Sequence, residues 1–482
     1  MPEHLLAIDA GTTSVRVLIF GLDGAVRARV REALPIHYPA PGRVEQDAEH
    51  IFEITRRLML GALREAGLRA ADLAAIGVTT QRASCVVWER ATGHALTPLI
   101  SWQDLRGTER SAELRDAGFF VMPQSAAAKL ESAIDSIPQG RRRTEIGEFA
   151  WGNIDSYLVY RLTDGAIHAT DPSQACATAY FDYAAGGWDA ALLNVQHLPE
   201  ALFPKLVDTS GRIGNTVQDL LGAPVPIAAI VGDQQSAAIA QGCRVPGDGK
   251  VTYGTSATAN VHTGSSPMIV PGTYPLALRR QSGATEFCLE GMVITAGAVF
   301  DWLSGGIGLL DDPAQANAVG AKAEDSGGVH VLPAFQGLGS PHGDTARRGL
   351  ITGLTRGTRR EHIVRAMLEG IAFRVRDVLD AIYIGAKLPR PAILRADGGA
   401  SANDLLMQLQ ADFIGQPVER MHPFEATAFG AAMLAGEGVG LLSSSDWAAL
   451  RRVDRVFEPR LSPDMRNTRY ADWRAACHLP TA

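Results

Sequence analysis

The sequence predicts an α/β protein of two similar halves with mixed or parallel sheets. Apolar runs bounded by Gly and Pro alternate with segments of helical period along the 482 residues. In the first half, LLAIDAG and VRVLIFGLDG are predicted strands joined by a Gly-Thr-Thr-Ser turn, and residues 249–264 repeat this pattern around a Gly-Thr-Ser turn. The length and the repetition favour two domains. We predict them as 1–245 and 246–482, because residues 242–250 are rich in Gly, Pro and charge.

The remaining elements follow from local patterns. Residues 48–67 have helical period and end on a glycine, and residues 74–81 form an apolar run typical of a strand. Residues 226–242 combine an apolar strand with an Ala-rich helix. Residues 361–379 carry apolar side chains at four-residue steps, which predicts one buried helix face. Residues 392–415 are a predicted strand, glycine turn and helix.

Composition excludes several classes of function. The net charge is −7 and there is no long basic run, which argues against a nucleic-acid or membrane surface. The five cysteines are scattered without a CxxC pair, so we expect no zinc site and no disulfide framework. The N-terminal residues lack the pattern of a secretion signal, and no apolar run reaches the length of a membrane span. We therefore expect a cytoplasmic protein.

The turn Asp9-Ala10-Gly11-Thr12-Thr13-Ser14 is a candidate phosphate site. Its glycine allows close backbone approach, and successive N–H groups and hydroxyls form an anion-binding concavity. The preceding acid would repel a phosphate unless a divalent cation lay between them, so Asp9 implies Mg²⁺. The same pattern is also found in plain strand connections.

Two further turns strengthen the nucleotide hypothesis. Gly254-Thr255-Ser256 follows a strand and again suits a phosphate, and residues 397–403 (DGGASAN) open a glycine slot before a helix. A purine could lie on the bare backbone at Gly399 and Ala400, with the Asn403 amide near the ring or ribose. Each turn could instead begin a helix, with Asn403 as its cap. Neither a Walker A loop nor an opening G-x-G-x-x-G is present.

Asp233 is the candidate catalytic base. It ends an apolar strand and begins an Ala-rich helix in PIAAIVGDQQSAAIAQG. A carboxylate at the carboxyl end of a strand could accept the proton of an attacking hydroxyl, as an aspartate does in phosphoryl transfer to alcohols. The alternative is that Asp233 only caps the helix. The neighbouring phosphate turns favour the base.

Together these segments resemble the FGGY carbohydrate kinases. The resemblance rests on DAGTTS, GVTTQRASCVVWE followed by SWQD, GDQQ, TYGTSA, LPAFQGLGSPH, GLITGLTRGTRREHIVRAMLEGIAF and DGGASAN, in order along nearly the whole chain. Among the branches of this family, the segments are most similar to glycerol kinases. The resemblance implies two actin-like (ribonuclease-H-like) ATPase domains around a central cleft. It also implies ATP-dependent, Mg²⁺-assisted phosphorylation of a terminal hydroxyl, and a homodimer or homotetramer.

The resemblance also assigns roles to individual residues. Asp233 matches the family's catalytic base, and Asp9 matches its Mg²⁺-associated acid. The nucleotide and phosphate contacts correspond to Thr12, Thr13, Ser14, Arg16, Gly254, Thr255, Gly297, Gly399, Ala400 and Asn403. The acceptor pocket corresponds to Arg82, Ala83, Trp102, Gln124, Asp233, Gln234 and Thr258.

The acceptor pocket departs from the glycerol kinase pattern. Ala83 stands where those enzymes have a glutamate beside the arginine, while Gln124 and Thr258 stand at aromatic positions. These changes favour a larger polyol, a ketose or a sugar acid, because a buried polar group left unpaired discriminates strongly between substrates. Two alternatives stay open, namely a true glycerol kinase with a divergent pocket and a catalytically impaired actin-like ATP-binding protein. Arg82 could also be structural and pair with an acid such as Asp104.

Overall fold

A computed structural model describes residues 2–421 and 425–479. Its strands are β1 (His4–Ala10), β2 (Ser14–Gly21), β3 (Val26–Ala33), β4 (Glu45–Gln46), β5 (Leu73–Thr80), β6 (Val86–Glu89), β7 (Leu99–Ile100), β8 (Phe149–Gly152), β9 (Ala169–Thr170), β10 (Phe181–Asp182), β11 (Gly187–Trp188), β12 (Lys205–Leu206), β13 (Ser210–Asn215), β14 (Pro226–Gly232), β15 (Gly249–Tyr253), β16 (Ala257–Gly264), β17 (Tyr274–Gln281), β18 (Ala284–Val293), β19 (His330–Leu332), β20 (Leu350–Thr352), β21 (Leu394–Asp397), β22 (Val418–Met421) and β23 (Val453–Phe457).

Its helices are α1 (Ala48–Ala66), α2 (Thr108–Asp116), α3 (Leu130–Asp135), α4 (Gly140–Glu145), α5 (Ile154–Leu162), α6 (Pro172–Ala175), α7 (Ala190–Val195), α8 (Gln218–Leu221), α9 (Asp233–Ala240), α10 (Ala298–Asp301), α11 (Ala316–Gly320), α12 (Arg360–Gly385), α13 (Asp404–Ile414), α14 (Ala426–Gly438), α15 (Ser444–Leu450) and α16 (Pro463–Ala476). None of the helices in these residues is both long enough and apolar enough to cross a lipid bilayer.

The chain forms two compact units, each discontinuous in sequence. Unit 1 comprises Met1–Ala240, Leu276–Glu286 and Glu425–Arg451, and unit 2 comprises Gln241–Pro275, Phe287–Phe424 and Arg452–Ala482. The change of unit after Ala240 lies near the predicted division at 245/246. Two later segments, however, return to unit 1, which no local pattern had indicated. The predicted domain boundaries themselves stay a prediction.

Unit 1 is built on a sheet with strand order β13-β14-β5-β1-β2-β3. The β1–β2–β3 meander is antiparallel, whereas β5 is parallel to both β1 and β14. Helix α1 packs its apolar face on this sheet and ends at Gly67, whose φ of 66° is the left-handed cap predicted from the sequence. Helix α14 packs closely on β5 and its neighbours β1 and β14. A Cβ on Gly77 of β5 would lie only 2.1 Å from the Ala431 carbonyl oxygen of this helix.

Unit 2 repeats the arrangement of unit 1. Its sheet contains the order β18-β16-β15-β21-β22-β23, in which β15 pairs antiparallel with β16 and parallel with β21, and β22 is parallel to β21. The order β18-β16-β15-β21-β22 thus matches β3-β2-β1-β5-β14 in unit 1. The long helix α12 is buried on most of its circumference, from Val364 to Leu379. The predicted single stripe on this helix was therefore too narrow, and Ile363 at its start is only half-buried.

A buried acid in unit 1 makes stability depend on pH. Asp155 in α5 is fully buried, accepts a hydrogen bond from Thr170 Oγ1 at 2.6 Å, and has one carboxylate oxygen without a partner among the described residues. Desolvation raises the pKa of Asp155 to about 7 from 3.8, and the nearby charge of Asp171 adds to the rise. Between these values the folded chain holds a proton that the unfolded chain has lost. The free energy of unfolding therefore falls as pH rises from about 4 to 7.

We expect the Asp155→Asn substitution to remove this dependence. The stability of D155N relative to the wild type should rise by up to about 4 kcal/mol between pH 4 and pH 8, because the amide carries no titrating proton. Denaturant unfolding at several pH values measures the difference. Parallel stability curves for the two proteins would contradict the assignment.

Candidate active site

Three loops of unit 1 leave the sheet at one edge. Strands β1, β5 and β14 are parallel neighbours, with Ala10 and Gly232 both paired to Thr80 at the end of β5. The carboxyl ends of parallel strands meet at the same edge of a sheet, where α/β proteins place their ligands. The turn after β1, the Arg82 loop after β5 and Asp233 after β14 therefore leave the sheet at the same edge.

The turn after β1 is held from several sides. The Gly11 N–H donates to the Ser14 carbonyl oxygen at 3.1 Å, and Gln46 Nε2 donates to the Thr12 carbonyl oxygen at 2.9 Å. Trp102 Nε1 donates to Thr12 Oγ1 at 3.0 Å. Thr13 is exposed and Ser14 is buried as the first residue of β2. The structure thus places the predicted residue Trp102 against the predicted phosphate turn.

Asp9 lies in β1 opposite Arg16 of β2, and both are in contact with further charges. Arg16 Nη1 is 3.7 Å from Asp9 Oδ2 and also donates to the Glu425 carboxylate. Desolvation raises the pKa of Asp9 to about 7, Arg16 opposes the rise, and Asp233 and Glu425 add to it. The sequence did not reveal Glu425, because it follows Arg16 by 409 positions.

Asp233 is the first residue of α9 and is partly exposed. Its Oδ1 accepts the N–H of Gln234 at 2.7 Å and lies 3.4 Å from Arg82 Nε. The carboxylate of Asp233 thus contacts the N–H of the next residue and forms an ion pair, whereas a helix cap would bind the N–H groups two or three residues on. Gly232 makes room for the arginine, since a Cβ there would lie 2.9 Å from Arg82 Cδ. The alternative pairing of Arg82 with Asp104 is wrong, because Asp104 Oδ2 instead binds Arg106 Nη2 at 2.8 Å.

A buried network that the sequence analysis missed supports Asp233. The Gly232 N–H donates to Ser173 Oγ at 2.8 Å, and Ser173 Oγ donates to Asp171 at 2.7 Å. Thr209 Oγ1 donates to the other carboxylate oxygen of Asp171 at 2.6 Å. This chain of hydrogen bonds fixes the backbone immediately before Asp233. The polar run Asp171-Pro172-Ser173 was the available signal, but its partners lie far away in the sequence.

The remaining predicted acceptor residues are less closely connected. Ala83 is buried and has a φ of 56°. Gln124 is half-buried in the turn before Ser125 and, among the described residues, makes no hydrogen bond to the three loops. Thr258 belongs to unit 2, where it is buried in β16 and paired with Thr252 of β15.

In unit 2, the predicted nucleotide residues of two segments are hydrogen-bonded to each other. The Gly254 N–H donates to Ser256 at 2.8 Å, which forms the turn between β15 and β16. The Gly297 N–H donates to the Gly254 carbonyl oxygen at 2.9 Å, and the Ala296 N–H donates to that of Thr255 at 2.9 Å. Glycine is required at 297, since a Cβ there would lie 2.3 Å from the Gly254 carbonyl oxygen.

The DGGASAN turn joins the same group. Gly398 has a φ of 86°, and a Cβ on it would lie 2.5 Å from the Tyr253 carbonyl oxygen. Ala400 Cβ would lie 3.3 Å from a Cβ on Gly297, whereas Gly399 faces open space. Asn403 Oδ1 accepts the N–H of Leu406 at 3.0 Å, so Asn403 is the cap of α13. The group therefore offers bare backbone beside a helix N-terminus, which suits a nucleotide.

Comparison with known proteins identifies the family of the chain. Residues 4–240 match the N-terminal domain of the FGGY family of carbohydrate kinases, and residues 249–438 match its C-terminal domain. The chain is 43% identical to a glycerol kinase of Aromatoleum aromaticum, with 98% of both chains covered. It is 41% identical to a glycerol kinase of Dechloromonas aromatica, covering 98% of this chain and 97% of the relative.

A solved structure supports the two-domain fold. The crystal structure of Plasmodium falciparum glycerol kinase with ADP superposes with a TM-score of 0.93 at 28% identity, covering 98% of this chain and 97% of that one. The actin-like fold and the kinase resemblance expected from the motifs are thereby confirmed. The chain belongs to the FGGY family of carbohydrate kinases and is an ATP-dependent phosphotransferase with an alcohol group as acceptor.

Proposed function

We propose that this enzyme transfers the γ-phosphoryl group of ATP to a terminal hydroxyl of a small polyol, with Asp233 as the catalytic base. The observation that carries the proposal is the common edge of β1, β5 and β14, which brings Asp233, Arg82 and the Thr12 turn together. In this proposal unit 1 supplies the base, the phosphate contacts and most of the acceptor residues, and the glycine turns of unit 2 supply the nucleotide contacts.

In the proposed reaction, Asp233 accepts the proton of the attacking hydroxyl. The acceptor oxygen forms a bond to the γ-phosphorus, and the bond from that phosphorus to the β–γ bridging oxygen breaks, releasing ADP. The backbone N–H groups and hydroxyls of Thr12, Thr13 and Ser14 face the charge of the transferred group, together with Arg16. Because the transition state is loose, positioning and charge stabilisation provide most of the rate enhancement.

Asp9 fits a role in holding Mg²⁺ with the nucleotide. Its carboxylate is buried, and this desolvation, with the charges of Asp233 and Glu425, raises its pKa to about 7. A single carboxylate can serve in this role, because Mg²⁺ is commonly bound by one or two carboxylates together with phosphate oxygens and water. When bound, Mg²⁺ would neutralise phosphate charge.

Glycerol is the first candidate acceptor, because the relatives at 43% and 41% identity are named glycerol kinases. A larger polyol, a ketose or a sugar acid is the second candidate. It is favoured by the methyl group of Ala83, which lies beside Arg82 and occupies less space than a glutamate side chain. We test both by ADP release with glycerol, erythritol, ribitol, xylulose, ribulose and threonate, and with no acceptor. Turnover of ATP without any acceptor preference would contradict the kinase proposal and favour an impaired ATP-binding protein.

The setting of the reaction is part of the proposal. We propose a cytoplasmic enzyme without a nucleic-acid partner, and the burial of all five cysteines agrees with a reducing compartment. We also propose a homodimer or homotetramer, to be checked by light scattering.

We expect Asp233→Asn to lower kcat by about 10²- to 10⁴-fold, the usual contribution of a general base. ATP affinity should stay unchanged, because a general base acts on the acceptor hydroxyl and not on the nucleotide. Steady-state kinetics and calorimetric titration with an ATP analogue measure the two effects. The matched control is D208N, because Asp208 has a similar exposure and a similar ion pair, with Arg280 at 3.2 Å. Near-normal turnover by D233N would exclude Asp233 as the base.

We expect Gly297→Ala to weaken ATP binding by about 5- to 150-fold, the equivalent of 1–3 kcal/mol of overpacking. The added Cβ would lie 2.3 Å from the Gly254 carbonyl oxygen and would therefore force the two segments apart. Titration with an ATP analogue measures the loss. Gly305→Ala is the control, since its Cβ would meet nothing within 4 Å. Equal affinities for both variants would show that the 254–297 contact does not form the nucleotide site.

A further inference from the structure

Lys129 is a buried cation to which no role has been assigned above. Its side chain has no exposed surface, and it directly follows the short 3₁₀ helix Ala126–Ala128. Its Nζ donates to the Ser101 carbonyl oxygen at 2.9 Å and to the Ala83 carbonyl oxygen at 3.4 Å. One ammonium group therefore joins two loops of unit 1 that are separate in sequence.

Both loops carry residues of the proposed acceptor site. Arg82 precedes Ala83, and its Nε lies 3.4 Å from Asp233 Oδ1. Trp102 follows Ser101, and its Nε1 donates to Thr12 Oγ1 at 3.0 Å. The two carbonyl groups that Lys129 binds are thus one residue away from the side chains that reach the base and the phosphate turn.

The backbone at Ala83 needs external support. Its φ of 56° lies in the left-handed region, which residues with a Cβ rarely adopt outside turns. Such a conformation persists only where the surroundings enforce it, and it is concentrated at functional sites. The Lys129 hydrogen bond acts on the carbonyl group of this very residue.

Lys129 retains its charge at neutral pH. Burial lowers the pKa of its ammonium to about 8, while the nearby charge of Asp104 opposes the decrease and that of Arg106 adds to it. A charged donor binds a carbonyl oxygen more strongly than a neutral amine does. The two hydrogen bonds that hold the loops offset part of the desolvation free energy of this buried charge.

We propose that Lys129 is a positioning residue of the acceptor site. By binding the Ala83 carbonyl oxygen, its ammonium holds the backbone of Ala83 in the left-handed conformation and so directs Arg82 towards Asp233. By binding the Ser101 carbonyl oxygen, it keeps Trp102 against the Thr12 turn. This inference rests on the proposed function and extends it to a residue that does not itself contact the acceptor.

The first test compares Lys129→Met with a matched control. K129M should raise KM for the acceptor that the enzyme phosphorylates about 10- to 100-fold, the usual effect of losing a hydrogen bond from a charged group. The KM for ATP should change less than about twofold. The control is Gln196→Leu, because Gln196 Nε2 donates to the Ala127 carbonyl oxygen at 2.8 Å and so supports the same segment from another side. Equal increases of acceptor KM in both variants would show a general loosening and overturn the proposal.

The second test adds Ala83→Gly, since glycine adopts a positive φ without strain. In the K129M background, A83G should lower the raised acceptor KM at least about threefold, because glycine lets the loop return to the left-handed conformation. No recovery, or no initial effect of K129M on the acceptor KM, would overturn the proposal. If K129M does not fold, K129Q replaces it under the same criteria, because glutamine keeps two N–H donors without the charge.

A stability measurement separates this inference from the proposed function. A83G should raise the Tm of the wild type by about 2 °C, because it relieves the enforced strain, and should leave the Tm of the Lys129 variant unchanged. If no acceptor of the panel is phosphorylated but this coupling is found, the proposed function fails and the holding of Ala83 by Lys129 stands. Identical Tm shifts in both backgrounds would refute the holding itself.

Discussion

The candidate active site of unit 1 depends on one constraint, the shared carboxyl edge of three parallel strands. β5 is buried along its length between β1 and β14, and its last residue, Thr80, pairs with Ala10 on one side and Gly232 on the other. A slip of one residue in either pairing would move a loop by about 3.3 Å and turn its side chains to the opposite face. The relative placement of Asp9 and Asp233 is therefore determined by the hydrogen bonds of the sheet and not by the loops.

Unit 2 uses the same constraint with different side chains. The glycine turn after β15 corresponds to the turn after β1, since both join the first two strands of an antiparallel meander beside a parallel neighbour. The residue two positions before the turn glycine is Asp9 in unit 1 and Thr252 in unit 2. The turn of unit 1 therefore follows an acidic residue, and the turn of unit 2 follows a neutral one. This asymmetry is consistent with the proposal, in which the acid of β1 takes part in the reaction and the turn after β15 contacts the nucleotide.

Sequence reasoning succeeded where the partners are close together in the chain. The β1–β2 hairpin, the strand-to-helix junction at Asp233 and the cap at Asn403 follow from a few adjacent residues, and the structure contains all three. It failed where the partners are distant. Lys129 binds Ala83 across 46 positions, Gly232 binds Ser173 across 59, and Arg16 binds Glu425 across 409. These contacts depend on how the loops fold over the sheet, and no periodicity or turn pattern encodes that arrangement.

The charges around Asp9 show why such distant contacts matter for function. Desolvation is the main reason that the pKa of Asp9 is raised to about 7, and the charge of Arg16 opposes this rise only in part. Glu425 accepts hydrogen bonds from both Arg16 and Arg29, and its own charge raises the pKa of Asp9, as does that of Asp233. Arg16 is therefore shared between Asp9 and Glu425, and it compensates the buried Asp9 only in part. A desolvated acid kept in this way favours a ligand that brings its own positive charge, and a metal-bound nucleotide is such a ligand.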